Sequence, residues 1–281
     1  MLGVSVQVED LTYRYPARAP ALRGVSLSIN PGDFVALIGQ NGSGKTTLAK
    51  HFNGILRPES GRVLVGGHDI AGRTTAEMAA LVGYCYQNPD HQIFASTVAG
   101  EIEFGPRNLG VGEDEIERRT RRLLEVVRLK DQSYAYPFGL SRGQRQKLAV
   151  ASVLAMEPRV LIVDEPTTGL DWQGGKAMME LMRELNADGR TIVIITHDMN
   201  IVAEFTRRVV VMADGAILAD GAPRDVFARE EALRAADLRA PQAYRVASRR
   251  PDLFGYDALT VDEARAALLT HVLRVGEEKP V

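Results

Sequence analysis

The stretch VSVQVEDLTYRY, Val4 to Tyr15, alternates apolar and polar side chains, and LRGVSLSIN after it does the same. A period of two puts successive side chains on opposite faces, so both read as half-buried antiparallel strands. PGD at Pro31–Asp33 is a turn. FVALIG then runs apolar without interruption, the pattern of a central strand covered on both faces. A helix is expected from the end of the following glycine-rich stretch to about Phe52, with Gly54 placed where a helix stops. From about residue 88 to residue 157 the pattern is mainly helical. EDEIERRTRRLLEVVRL puts Ile116, Leu123, Leu124 and Val127 on one face and arginines on the other, a solvated face. Strand patterns return in RVLIVDEP and RTIVIITHD, separated by a helical segment from Gln173 to Asn186. In RRVVVMADGAILADGAP, Asp214-Gly215 between two apolar runs signals a hairpin. From Asp225 onward the chain turns to Ala, Arg and Glu, broken by Pro241 and Pro251. A last helix begins at TVDEARAALL, where Thr260 and Glu263 have capping-box spacing. These elements describe an α/β core, an antiparallel β portion, an inserted helical subdomain (about 88–157) and a C-terminal appendage (223–281).

Composition narrows the classes. The chain has 281 residues and a formal net charge of −2, so no large basic field for nucleic acid is implied. No apolar run approaches the roughly 20 residues that span a bilayer. MLGVSVQVEDLTYRYP lacks the basic-then-apolar plan of a signal peptide, so the chain is expected to remain in the compartment where it is made. The single cysteine, Cys85, lies in the strand-like LVGYCYQ and reads as a small core residue. His51, His68, His91 and His271 are too scattered to suggest a metal site of their own.

The chemistry sits in GQNGSGKTT, Gly39 to Thr47. Gly39-x-x-x-x-Gly44-Lys45-Thr46 is the P-loop pattern, and it has the right context of a buried strand before it and a helix after it. Glycines at 39, 42 and 44 let backbone N–H groups from Asn41 to Thr47, Ser43 among them, converge on phosphates. The helix N-terminus adds partial positive charge. Lys45 should reach the β- and γ-phosphates and the Thr46 hydroxyl should hold Mg²⁺. VLIVDEP supplies the rest. Two carboxylates at the end of a buried strand are costly unless they serve cations or water. Asp164 is placed for Mg²⁺ and Glu165 for polarising the attacking water. IITHD brings His197 to the same sheet edge as a γ-phosphate contact.

LSRGQRQ, Leu140 to Gln146, precedes the Asp164 strand and resembles the L-S-G-G-Q signature of ABC (ATP-binding cassette) ATPases. The resemblance covers residues 4 to 222. It implies a P-loop cassette with a RecA-like core, hydrolysing ATP as Mg²⁺-ATP, in which two cassettes pair head to tail. Ser141, Arg142, Gly143 and Gln144 would then complete the partner's site. Arg142 stands where the common motif has glycine and either adds a cation near the nucleotide or crowds the interface. By the same resemblance Tyr15 stacks on adenine, Gln87 is a Mg²⁺ and water ligand, and Asp171 of GLD touches the opposing site. Trp172 either borders that interface or packs on its own helix. QNPDHQIFASTVAGEIEFGPRNLG and HFNGILRPESGRVLVGG resemble the ATPase components of energy-coupling factor transporters of the cobalt, nickel and vitamin type. The implied partners are a second ATPase chain, identical or related, a transmembrane T protein and a substrate-binding membrane S protein. The implied location is the cytoplasmic face of the membrane, held peripherally. The appendage would help the ATPases associate. Ile93 and Phe94 either line a docking groove or pack the helical subdomain. Other importers and exporters use the same cassette. Soluble relatives acting on DNA or ribosomes usually carry two cassettes, a coiled coil or a basic linker, none of which shows here.

Overall fold

The structure is a computed structural model that describes residues 2–254 and 258–277. Its strands in chain order are β1 (Val6–Arg14), β2 (Pro20–Ile29), β3 (Phe34–Ile38), β4 (Ser60–Val65), β5 (His68–Asp69), β6 (Val82–Cys85), β7 (Val160–Asp164), β8 (Thr191–Ile195), β9 (Arg208–Ala213) and β10 (Ala216–Gly221). They form two sheets. One is four-stranded in the order β2-β1-β4-β5 and antiparallel. The other runs β10-β9-β3-β8-β7-β6 and is parallel except at β10.

The patterns explain this division. Along β3 every residue is buried. Phe34, Ala36 and Ile38 face a core shared with the helical region, while Val35 and Leu37 face a second core shared with β1, β2 and β4. A strand covered on both faces has no polar side to alternate with. The helix Lys45–Phe52 sends Leu48, Ala49 and Phe52 into the second core, so it lies between the two sheets. Asp214 and Gly215 both adopt positive φ, 47 and 78°, as a tight hairpin with right-handed twist requires.

The inserted helices are Val98–Asn108, Glu113–Val126 and Arg142–Leu154. Ile116, Leu123, Leu124 and Val127 are all buried, as their spacing predicts. The arginine face is less uniform than expected. Arg118 and Arg121 are exposed, but Arg119 is only 15% exposed and joins Glu115, Glu157 and the Ala155 carbonyl. It fastens the helix Glu113–Val126 to the residues that follow the helix Arg142–Leu154. At the last helix, Val261–Glu277, Thr260 Oγ1 accepts from Glu263 N at 3.2 Å. The Glu263 carboxylate passes over Thr260 N and accepts from Leu259 N, 2.7 Å, and from Arg224, 2.8 Å. The capping box is therefore half formed, and its carboxylate ties the last helix to the helix Pro223–Phe227. Of the appendage, residues 255–257 and 278–281 lie outside the described residues.

Cys85 is fully buried in β6, and burial pushes its thiol well above the usual range, which fits a core residue. Gly83 in the same strand has no room for a side chain. A β-carbon there would stand 2.9 Å from Pro158 Cγ and closer still to Val153. Alanine normally suits a strand better than glycine, so the sign of its effect tests this packing. We expect Gly83→Ala to destabilise by about 1–3 kcal/mol, read as a fall of several degrees in Tm by calorimetry. An unchanged or raised Tm would contradict it.

Candidate nucleotide site

The phosphate loop joins β3 to the helix Lys45–Phe52. Gly44 caps that helix at φ 103°, and a β-carbon on it would stand 2.7 Å from the Ala21 carbonyl oxygen and 3.0 Å from Leu22 Cδ2. Only glycine suits both the dihedral and the space. Lys45 is buried, and its Nζ donates to Gly39 O (2.7 Å), Gln40 O (2.8 Å) and Ser43 Oγ (3.3 Å). The ammonium thus gathers the loop around itself. Burial pulls its pKa below the usual lysine value, and Glu165 and Asp164 pull it back up.

β7 lies two strands from β3, with β8 between, so all three open their C-terminal ends on one edge, where ligands bind in such sheets. Asp164 ends β7. Its Oδ2 accepts from Thr46 Oγ1 at 3.1 Å and from the Tyr84 hydroxyl at 2.9 Å. Burial raises its pKa above the usual carboxylate value, against the hydrogen bonds from Tyr84 and Thr46. The Tyr84 phenol is likewise pushed up, first by burial and then by Asp164. A buried, discontented carboxylate beside a hydroxyl is a hard-oxygen donor set that fits Mg²⁺, and the exposed Gln87 side chain borders the same cavity.

Glu165 takes a left-handed φ of 52°, unusual for a residue with a side chain, and its N–H donates to Ile195 O at 2.7 Å. Its carboxylate is held at both oxygens. Oε1 lies 2.8 Å from His197 Nδ1, and Oε2 accepts from Thr168 Oγ1 at 3.2 Å. Glu165 is 12% exposed and His197 72% exposed. The imidazole therefore stands outside and braces the carboxylate inward.

One cavity of about 460 Å³ collects these groups. Of the residues expected from sequence, Tyr15, Asn41, Gly42, Gly44, Lys45, Thr46, Thr47, Gln87, Asp164 and Glu165 line it. Gly39 and Ser43 support it through Lys45, and His197 through Glu165. The Tyr15 hydroxyl meets Thr47 Oγ1 at 3.3 Å, and its ring stands edge-on to Tyr13, which stands edge-on to His51. Tyr13 is a β1 residue, as its alternation suggests, and also steadies Tyr15.

Ser141 to Gln144 do not line the cavity. They open the helix Arg142–Leu154, where Ser141 and Gln144 form a reciprocal capping box. Asp171 is also away from it, capping the helix Trp172–Ala187 through Gly174 N at 2.7 Å. Trp172 is 66% exposed, and Phe94 is 60% exposed with its ring 4.4 Å from that of exposed Phe104. Ile93 is a buried core residue, which removes it from any groove. Sequence reasoning missed Tyr84 and the lining residues Arg18 to Ala21, which lead into and open β2. Tyr84 was readable only as one more large residue in a buried strand.

The Asp164 shift makes a stability prediction. A carboxyl whose pKa is raised in the fold stabilises it when protonated, below about its ordinary value of 3.8. That contribution disappears as pH rises through the raised value, so at neutral pH the charge works against folding. Asp164→Asn should therefore raise the Tm of nucleotide-free, metal-free protein at neutral pH. The gain should shrink as pH falls towards 4, and stabilisation by Mg²⁺-nucleotide should be lost. Differential scanning fluorimetry across pH checks all three.

The ABC transporter family model matches residues 22–168, over half of the chain. A putative ABC transporter ATP-binding protein of Methanosarcina acetivorans is 47% identical over 86% of this chain and 39% of its own length. The chain thus spans under half of that relative. The energy-coupling factor transporter ATP-binding protein EcfA of Methanocaldococcus jannaschii is 44% identical over 84% of this chain and 86% of that protein. Among solved structures, cbiO1 of Clostridium perfringens, described as part of the ABC transporter complex cbiONQ, superposes with a TM-score of 0.75. It is 37% identical, covering 89% of this chain and 97% of that one. With the phosphate loop, the paired carboxylates and the cassette fold already in place, these likenesses show that the chain belongs to the ABC transporter family.

Proposed function

We propose that this chain is the ATP-hydrolysing subunit of an energy-coupling factor type importer. It would work at the cytoplasmic face of the membrane with a second ATPase chain, a T protein and an S protein that selects a vitamin or transition-metal ion. The observation that carries the hydrolytic part is Glu165. Its carboxylate is fixed by His197 and Thr168 at the wall of the cavity of about 460 Å³ that also holds Lys45 and the Thr46–Asp164 pair.

From that geometry the chain's own steps follow. The loop N–H groups and Lys45 bind the phosphates, and Tyr15 offers its ring to the base. Thr46, Asp164 and Gln87 would hold Mg²⁺, which when bound neutralises charge developing on the transferred phosphoryl group. Glu165 orients a water for in-line attack and accepts its proton, while His197 keeps the carboxylate aimed. Ser141 to Gln144 do not line their own cavity, which favours their use on a second chain's nucleotide, with charge stabilisation supplied in trans.

Among the described residues no helix is long and apolar enough to cross a membrane, so transport needs membrane partners. The exposed Phe94–Phe104 pair, on the segment that follows Gln87, suits contact with such a partner. The importer type is supported by the likeness to the archaeal EcfA and to cbiO1. For association of the ATPases we favour the appendage. Val261, Leu269, Val272 and Leu273 on its last helix are exposed, and Val261 shares a groove with Trp172, next to Asp171.

Purifying the tagged chain from gently solubilised membranes tests the assembly. A T-type and a small S-type protein are the expected companions. A permease pair with an extracytoplasmic binding protein would reassign the machine, and purely soluble companions would remove transport. Glu165→Gln should cut hydrolysis about a hundredfold or more and accumulate an ATP-bound dimer in gel filtration. Near-normal turnover would clear Glu165 of its role. Lys45→Ala should weaken ATP binding roughly tenfold or more, the scale of a lost charge-assisted hydrogen bond, by titration calorimetry.

A further inference from the structure

The turn that opens the helix Arg142–Leu154 touches the Asp171 segment within one chain. Gly169 takes φ 77°, in the left-handed region. A β-carbon built on it would stand 2.6 Å from Arg142 Cζ and 2.9 Å from Arg142 Cδ. The guanidinium therefore lies in the space that any side chain at 169 would need. One residue on in each strand of contact, a β-carbon on Gly143 would stand 3.3 Å from Leu170 Cδ2. Two consecutive residues of the turn are thus seated on two consecutive residues of the segment. Asp171 comes next, its carboxylate engaged as the cap of the helix Trp172–Ala187.

Arg142 is also where this chain departs from the glycine of the signature it resembles, and a glycine could not reach Gly169. A planar, delocalised cation suits the task, because the guanidinium is pre-organised and more weakly hydrated than an ammonium. We propose that Arg142 is a positioning residue. It fixes the Gly169–Asp171 segment to the signature turn, so that both reach the partner chain's nucleotide as one unit. The proposal rests on the two-chain reading given above. Its effect would fall on turnover, because small misplacements of groups that assemble a reaction site cost rate more than ground-state binding.

Trp172, the only tryptophan, follows Asp171 directly and is 66% exposed, so its fluorescence reports on the segment. In the nucleotide-free full chain, Arg142→Gly should raise acrylamide quenching of Trp172. It should lower kcat roughly ten- to a hundredfold and leave the KM for ATP unchanged, with Arg142→Lys recovering only part. Gly169→Ala, which drives a β-carbon into the guanidinium, should change the quenching more with Arg142 present than in the Arg142→Gly background. Unchanged quenching in Arg142→Gly would overturn the proposal, as would effects of the two substitutions that simply add. A raised KM with unchanged quenching would also overturn it and make Arg142 a phosphate contact. A Glu165→Gln chain that stays monomeric with ATP, while the quenching changes appear, would overturn the two-chain reading and the in-trans half of the proposal, not the contact.

Discussion

The structure turns on a carboxylate kept where the fold would rather have none. Asp164 closes a strand whose five residues are all buried, in a sheet covered on both faces. Removing such a charge from water is expensive, and two hydroxyl donors offset only part of the cost. The local structure is arranged around that expense. β3 and β7 open on the same edge, the phosphate loop places Thr46 against Asp164, and β6 supplies Tyr84 from the other side. The site is stable enough to form and unsatisfied enough to welcome a cation.

Glu165 shows the same trade in the backbone. A glycine would adopt its left-handed φ at no steric cost, but a glycine has no carboxylate to offer. The strain is held by the N–H bond to Ile195 O and by the grip of Thr168 and His197 on the two oxygens. Strain at a residue so firmly braced is expected where orientation matters more than local stability. Because His197 is mostly exposed, whatever meets this surface also meets the group that aims Glu165.

Much of this was legible in the sequence, for identifiable reasons. The loop at Gly39–Thr46 and the strand ending at Asp164 combine spacing with apolar context, and both are short-range signals. The helix Lys45–Phe52, the hairpin at Asp214-Gly215 and the buried stripe of Ile116, Leu123, Leu124 and Val127 follow from local periodicity. What escaped depends on partners far along the chain. Tyr84 meets Asp164 across 80 positions, and Arg119 reaches Glu157 beyond the helix Arg142–Leu154. Ile93 and Phe94 are neighbours in an irregular segment, where no period says which one turns inward. Glu263 misses Thr260 N because Arg224 and Leu259 N together make a better site for its carboxylate.

The separation of Ser141–Gln144 from the phosphate cavity gives this arrangement its consequence. Under the two-chain reading, a chain would carry both halves of a reaction site without joining its own, and its chemistry would be governed by encounter. Nucleotide bound in one cavity would then also be the adhesive for the other chain, and its free energy of binding would be shared with assembly. On the same reading, hydrolysis would remove the adhesive at the moment it completes the reaction. Chemistry and separation of the chains would become one event, and a chain with no membrane-crossing helix among its described residues would in that form do mechanical work on membrane partners.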